Sequence, residues 1–259
     1  MIEAILRAET IPKESDYTLA PDILLLLVQD GSVRLLDLKG NCYTMAPIGG
    51  KMLVGALEGD SAAALHIATE YHAELFLVRD DMQTFLADLE SKKLIFQRRG
   101  PISKNMRRPR KTPLLFWLLA PFLRSACALP FSLESKAWLL LTLAFLSLRM
   151  SGWSETLELW RQQFPNHKHK KVSPELEPYA KLVDQLIRTR AAHHLFHVDC
   201  KERALSCWGL LRSAGFSARL VMGIHLFPLE CHCWCEAGAW VLSDDQDRCK
   251  QFTPITSYE

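Results

Sequence analysis

The sequence predicts an α+β protein in two folded parts, and three observations carry that reading. Strand-like runs parted by Asp30-Gly31 and Gly40-Asn41 come first, and amphipathic helices follow them as a block instead of alternating with them. A second set of alternating strands closes the chain after Ala218, beyond a strongly apolar helical stretch. The 259 residues are 49% apolar, enough core for one large domain or two small ones and too much for a disordered chain.

The first part divides into three strands and three helices. Ile23–Gln29 is an apolar run, Ser32–Lys39 alternates, and Cys42–Ala46 is a short third strand. Pro47 opens a helix that runs to Leu57, where Gly59 closes it. Asp60 or Ser61 caps a second helix through Tyr71. A third starts near Asp80 and carries Met82, Phe85, Leu86 and Leu89 at helical spacing, with Lys92 and Lys93 in its last turn. Three antiparallel strands and three helices make a small winged-helix-like domain over residues 1–98. DNA is a poor partner for it. Asp80, Asp81, Asp88 and Glu90 line the third helix, and the whole chain has a formal charge of only +2.

Residues 99–112, with Pro101, Pro109 and several Arg and Lys, read as a basic linker. Residues 113–259 form the second domain, with a helical N-terminal part. Leu114–Met150 is apolar, but Pro121, Arg124 and Pro130 interrupt its first half and Arg149 ends Ala137–Leu148. A membrane-spanning helix needs about twenty uninterrupted apolar residues, so two buried or partner-facing helices are expected and membrane contact is not. Helices follow at Trp153–Gln163 and Tyr179–Arg190, and HKHKK, residues 167–171, falls in a loop between Pro165 and Pro174. The polar first twenty residues lack the pattern of an export segment. The eight cysteines are therefore read as reduced and cytosolic, most of them buried as small apolar residues.

The chemistry concentrates in DCKERALSCWGLL, residues 199–211. Asp199 and Glu202 have the spacing of a capping box, which puts Cys200 at the first helical position. Unpaired N–H groups and the positive helix end favour a thiolate there. Cys207 lies two turns further on, where that effect has faded. A hairpin follows: Ala218–Leu226, then Cys231–Glu236, then Ala239–Ser243. Period-two alternation puts His232, Trp234 and Glu236 on one face and Cys231, Cys233 and Cys235 on the other. Asp244 stands where the last strand ends, so Cys200, His232 and Asp244 are the candidate nucleophile, base and orienting acid, with Asp245 and Asp247 as rivals for the third role. No metal site is expected: C-x-C-x-C lacks the C-x-x-C knuckle, and His193, His194 and His197 lack a completing ligand set.

Two resemblances sharpen this reading. Through VRLLDLKGNCYTMAP, EGDSAAALHIATEYH and DDMQTFLADLESKKLI, the first hundred residues resemble the PqqD-like domain known as the RiPP recognition element. The resemblance implies that a precursor's leader peptide adds as a strand beside the third strand and packs on the third helix, with Tyr43, Thr44, Met45 and Phe85 as contacts. The order of capped Cys helix, His strand and acidic strand end resembles the papain-related, transglutaminase-like cysteine peptidases. More narrowly, the last sixty residues resemble the leader-peptidase (B) proteins of lasso-peptide biosynthesis. The matching positions are Cys200, Arg203, Ala204 and Leu205; Leu211, Arg212, Gly215, Ala218, Arg219, Leu220, Val221 and Gly223; His232, Trp234 and Glu236; and Asp244. Lys201, Cys233 and Cys235 depart from the usual residues without removing a catalytic group.

What the resemblance implies is a cytoplasmic enzyme that removes the leader from a lasso precursor. An ATP-dependent macrolactam synthetase, similar to asparagine synthetases, would then close the ring, and Leu114–Met150 is a candidate docking surface for it. The peptidase itself would need no cofactor; ATP belongs to the synthetase. Two other readings stay open: a transglutaminase-like acyl transferase, and a non-catalytic carrier of the peptide.

Overall fold

The computed structural model describes residues 2–6, 11–12, 15–38, 41–98, 114–128, 130–165 and 176–259. The linker at 99–112, the turn residue Gly40 and the HKHKK stretch lie outside them. The chain divides into two units, Met1–Arg108 and Pro109–Glu259.

The first unit runs β1 (Ile2–Leu6), β2 (Tyr17–Leu19), β3 (Ile23–Val28), β4 (Val33–Asp37), β5 (Cys42–Met45), α1 (Pro47–Glu58), α2 (Ala63–Glu70), α3 (Leu75–Ser91) and β6 (Ile95–Gln97). Asp30 turns β3 into β4: its Oδ1 accepts from the Ser32 N–H at 2.8 Å while Gly31 takes φ +78°. The sheet order is β1-β3-β4-β5, all antiparallel, and β2 pairs separately with β6. The three expected strands are therefore β3, β4 and β5. Three more strands were not expected, because β2 and β6 have three residues each and carry no usable period of their own.

Leu25, Leu35, Leu53, Leu57 and Ile95 are fully buried in the core of this unit. Helix α3 begins at Leu75, earlier than the expected start near Asp80, and its N-cap is Glu74. Val78 explains the extra turn: it is buried with Ala64 and Ile67 of α2, and that burial outweighs the capping preference of Asp80. Helix α2 begins at Ala63, past the expected cap; Asp60 instead accepts from the Ala62 N–H at 2.8 Å.

The second unit runs α4 (Leu114–Ala128), α5 (Leu133–Gln163), α6 (Leu176–Ala192), α7 (Cys200–Ser213), β7 (Arg219–Leu226), β8 (Leu229–Ala237), β9 (Trp240–Leu242), α8 (Gln246–Cys249) and β10 (Thr253–Tyr258). Pro121 was expected to interrupt α4 but sits inside it. Leu119, Leu123 and Ala126, at helical spacing, are buried, which holds the helix through the missing N–H bond. Helix α5 kinks at Gly152, where φ is +75°, so the expected helix Trp153–Gln163 is its second segment. Among the described residues no helix is long and apolar enough to cross a membrane.

The antiparallel sheet has the order β10-β7-β8-β9, and α7 packs against β8 and α5. Trp160 of α5 and Trp208 of α7 are fully buried there. Gly209 admits Trp160, since a Cβ at that position would stand 2.8 Å from the indole ring. Gly223 of β7 does the same for Trp234: a Cβ would lie 2.8 Å from its ring, directly across the ladder from His232.

Candidate active site

Helix α7 starts at Cys200 because Asp199 and Glu202 form a capping box, with Glu202 accepting from the Asp199 N–H at 3.1 Å. The thiol is half-buried, and the backbone N–H of Cys233 on β8 donates to it. Cys233 adjoins His232 in the strand. Burial pushes the Cys200 thiol up; the Cys233 N–H and the charges of Lys201 and Arg203 work against this, and Glu202 adds to the rise. The helix start was expected to favour a thiolate. In the fold desolvation outweighs it, so the resting sulfur is a protonated thiol that needs a base.

His232 is the candidate base, and the backbone N–H of its neighbour Cys233 is the group that reaches the Cys200 thiol. Its ring is buried against Phe252, with centroids 4.9 Å apart, and lies 6.0 Å from the Trp234 ring. Nε2 stands 3.2 Å from Asp244 Oδ2. The N–H is not aimed well enough to complete a hydrogen bond, a looseness common before substrate tightens a site. With Nε2 turned to Asp244, Nδ1 is the ring nitrogen that faces away from that carboxylate. Burial lowers the affinity of His232 for a proton; Asp244 raises it, Arg248 and Arg203 lower it, and Glu230 raises it. The ring therefore rests neutral near neutral pH, as a base must.

Asp244 is buried and held from several sides. Arg203 of α7 reaches its Oδ2 at 2.7 Å and Arg248 of α8 stands 3.7 Å from the same oxygen. Oδ1 accepts from the Asp245 N–H at 2.8 Å. Its rivals are used otherwise: Asp245 caps α8, and Asp247 pairs with Lys250 at 2.8 Å in solvent.

Cys207 of α7 and Cys231, Cys233 and Cys235 of β8 belong to the two elements that pack together beside Cys200. Cys233, Cys235 and Cys207 are buried, Cys207 bonds to Cys235, and burial pushes Cys231 up to about 12. Among the described residues no three His, Cys, Asp or Glu side chains are grouped to hold a metal ion. His194 Nε2 instead meets Thr142 Oγ1 at 3.1 Å, and His197 pairs with Asp199 at 3.0 Å.

In the first unit, Tyr43, Met45 and Phe85 share one cluster, with Met45 buried and the other two half-buried, while Thr44 is exposed. Strand β5 ends the sheet order; among the described residues its outer edge has no partner strand. Sequence reasoning did not find the roles of Asp184, Arg188 and Arg248, nor the tie from Arg203 to Asp244. The only signal in the chain is the i, i+4 spacing of Asp184 and Arg188, which is the mark of any helix-surface pair.

No curated protein and no solved structure matches the chain. A family model described as the transglutaminase-like superfamily matches residues 140–257. That superfamily includes cysteine peptidases and acyltransferases. The matched stretch begins within α5 and contains Cys200, His232 and Asp244, so the C-terminal region of the chain carries a transglutaminase-like domain.

Proposed function

We propose that the chain is a cysteine peptidase that holds the leader of a lasso-peptide precursor and cuts it from the core. The observation that carries this reading is the convergence on one strand pair. The Cys200 thiol sits at the Cys233 N–H, and His232, the adjoining residue, stands 3.2 Å from Asp244. Nδ1 of His232 takes the thiol proton, and the thiolate attacks the carbonyl at the leader–core junction. The C–N bond breaks as the imidazolium gives its proton to the departing core amine. Water then hydrolyses the thioester, freeing the leader and the enzyme. Asp244 stabilises the imidazolium throughout. The chemistry draws only on this chain's side chains and water.

The unpartnered edge of β5 beside the Tyr43, Met45 and Phe85 cluster supports leader binding in the first unit, since a peptide strand can complete such an edge and place a side chain in an apolar pocket. The freed amine would be the substrate of a macrolactam synthetase that consumes ATP. The superfamily match is equally compatible with an acyl transferase, in which an amine replaces water in the second step.

A mass-spectrometric assay tests both points. Wild type and Cys200→Ala would each be mixed with a lasso-type precursor, with and without synthetase and ATP. Cleavage by wild type alone, adding one water to the leader fragment, is the expected result. A leader joined to an added amine would establish the transferase instead. Equal peptide binding without cleavage by either protein, in every mixture, would leave only a carrier.

A further inference from the structure

We propose that the Asp184–Arg188 pair of α6 is a positioning clamp that holds the Ser243–Asp244 corner and so sets where Asp244 stands against His232. The inference rests on the Cys200, His232 and Asp244 reading above and adds two positioning residues to it.

Strand β9 ends at Leu242, and the next residue, Ser243, has φ +71°. A serine rarely takes this left-handed conformation unless its surroundings hold it there. The corner is also buried, with Ser243 only 1% exposed, so its N–H must find an acceptor inside the protein. Asp184 supplies it: Oδ1 accepts from the Ser243 N–H at 2.5 Å. The same oxygen accepts from Arg188 Nε at 3.0 Å, one turn along α6. Arg188 then turns its Nη2 to the backbone carbonyl of Asp244. One carboxylate and one guanidinium thus grip the N–H of Ser243 and the carbonyl of the next residue. An ordinary i, i+4 surface pair holds only its own helix; this one holds the chain that leads into the site.

The Asp244 side chain is held separately, by α7. Arg203 Nη2 lies 2.7 Å from Oδ2, the oxygen that also faces His232 Nε2 at 3.2 Å. Arg203 and His232 share that oxygen, with Arg248 a third neighbour at 3.7 Å, so a small rotation of the corner would move it from His232 toward an arginine. The backbone grip of Asp184 and Arg188 opposes that rotation. The charged groups around the ring are Asp244, Arg203, Arg248 and Glu230, and Asp244 is the nearest whose place the clamp governs.

The test uses iodoacetamide on the full chain, with alkylation of Cys200 followed by peptide mass spectrometry from about pH 5 to about pH 9. Asp244→Ala weakens His232 as a base and is expected to slow Cys200 alkylation by about tenfold near neutral pH. Asp184→Ala should slow it in the same direction by about threefold or more. The Asp184→Ala/Asp244→Ala double variant should be no slower than Asp244→Ala alone, because Asp184 acts through Asp244. Asp184→Asn keeps an acceptor for the Ser243 N–H but loses the charge that holds Arg188, and should fall between wild type and Asp184→Ala.

A merely structural loss would instead multiply with Asp244→Ala, and that result overturns the clamp. So does a wild-type rate for Asp184→Ala beside a slow Asp244→Ala. Should circular dichroism show Asp184→Ala unfolded, Asp184→Asn, alone and with Asp244→Ala, carries the same comparison. If Asp244→Ala itself leaves Cys200 unaffected across the pH range, the triad reading falls and the clamp with it.

Discussion

Asp244 faces His232, Arg203 and Arg248 through one oxygen, and that sharing sets the acid–base behaviour expected of the site. Burial keeps His232 below the ordinary imidazole range, Asp244 pulls it up, and Arg203 and Arg248 push it down. The ring must be unprotonated to accept the thiol proton. Under the proposed function, activity should therefore fall on an acid limb whose midpoint lies below the ordinary imidazole range, as the lowered group becomes protonated. Arg203→Gln removes a positive neighbour of His232, so the imidazolium becomes easier to form and the limb should move to higher pH. A pH profile of kcat/KM for the two proteins checks the sign; a limb that moved down would mean that Arg203 acts on His232 chiefly by placing Asp244.

Between elements, α7 is the part whose place decides most. Its start delivers Cys200, its next turn sends Arg203 to Asp244, and its far end packs on Trp160. Gly209→Ala would press a methyl group to 2.8 Å from the Trp160 ring, deep in the core. Overpacking of this kind costs about 1–3 kcal/mol, which urea unfolding would read as a lower midpoint with unchanged slope. In the first unit the corresponding element is β5. Phe85→Ala removes a half-buried ring from the cluster beside its edge. Under the leader-binding proposal it should raise KM for the precursor several-fold, by about 1 kcal/mol of lost contact, while kcat stays near wild type. Steady-state kinetics on the full precursor would separate the two.

For the whole molecule, if the first unit holds the leader and the second cuts it, as proposed, the cut site is presented at high effective concentration. Deleting residues 1–98 should slow cleavage strongly at low precursor concentration and far less at saturation. Equal slowing at both would argue that the first unit supports the second structurally instead of holding substrate. For the proposed synthetase partner, α4, α5 and the connection between them leave Phe122, Phe131, Trp138 and Met150 exposed although Leu123, Leu140 and Leu141 are fully buried. Under the docking proposal, replacing those four with polar residues should abolish co-purification with the synthetase.

Much of this protein was legible in its residues alone. The capping box of Asp199 and Glu202 determined where α7 begins, because both halves of that signal lie within one turn. Period-two alternation determined that His232 and Trp234 face away from Cys233 and Cys235, because side-chain direction along a strand is a local property. Tertiary structure decided the rest. Strand β10 carries no distinctive pattern and exists because β7 offers it an edge. Helix α3 starts at Leu75 because Val78 finds a buried place against α2. Cys200 is a thiol in spite of its helix start because desolvation depends on what packs over it. Asp184 and Arg188 lie more than fifty positions before the corner they hold. A hydrogen bond over that span leaves no period or motif in the chain; only the folded backbone, bringing α6 beside the end of β9, creates it.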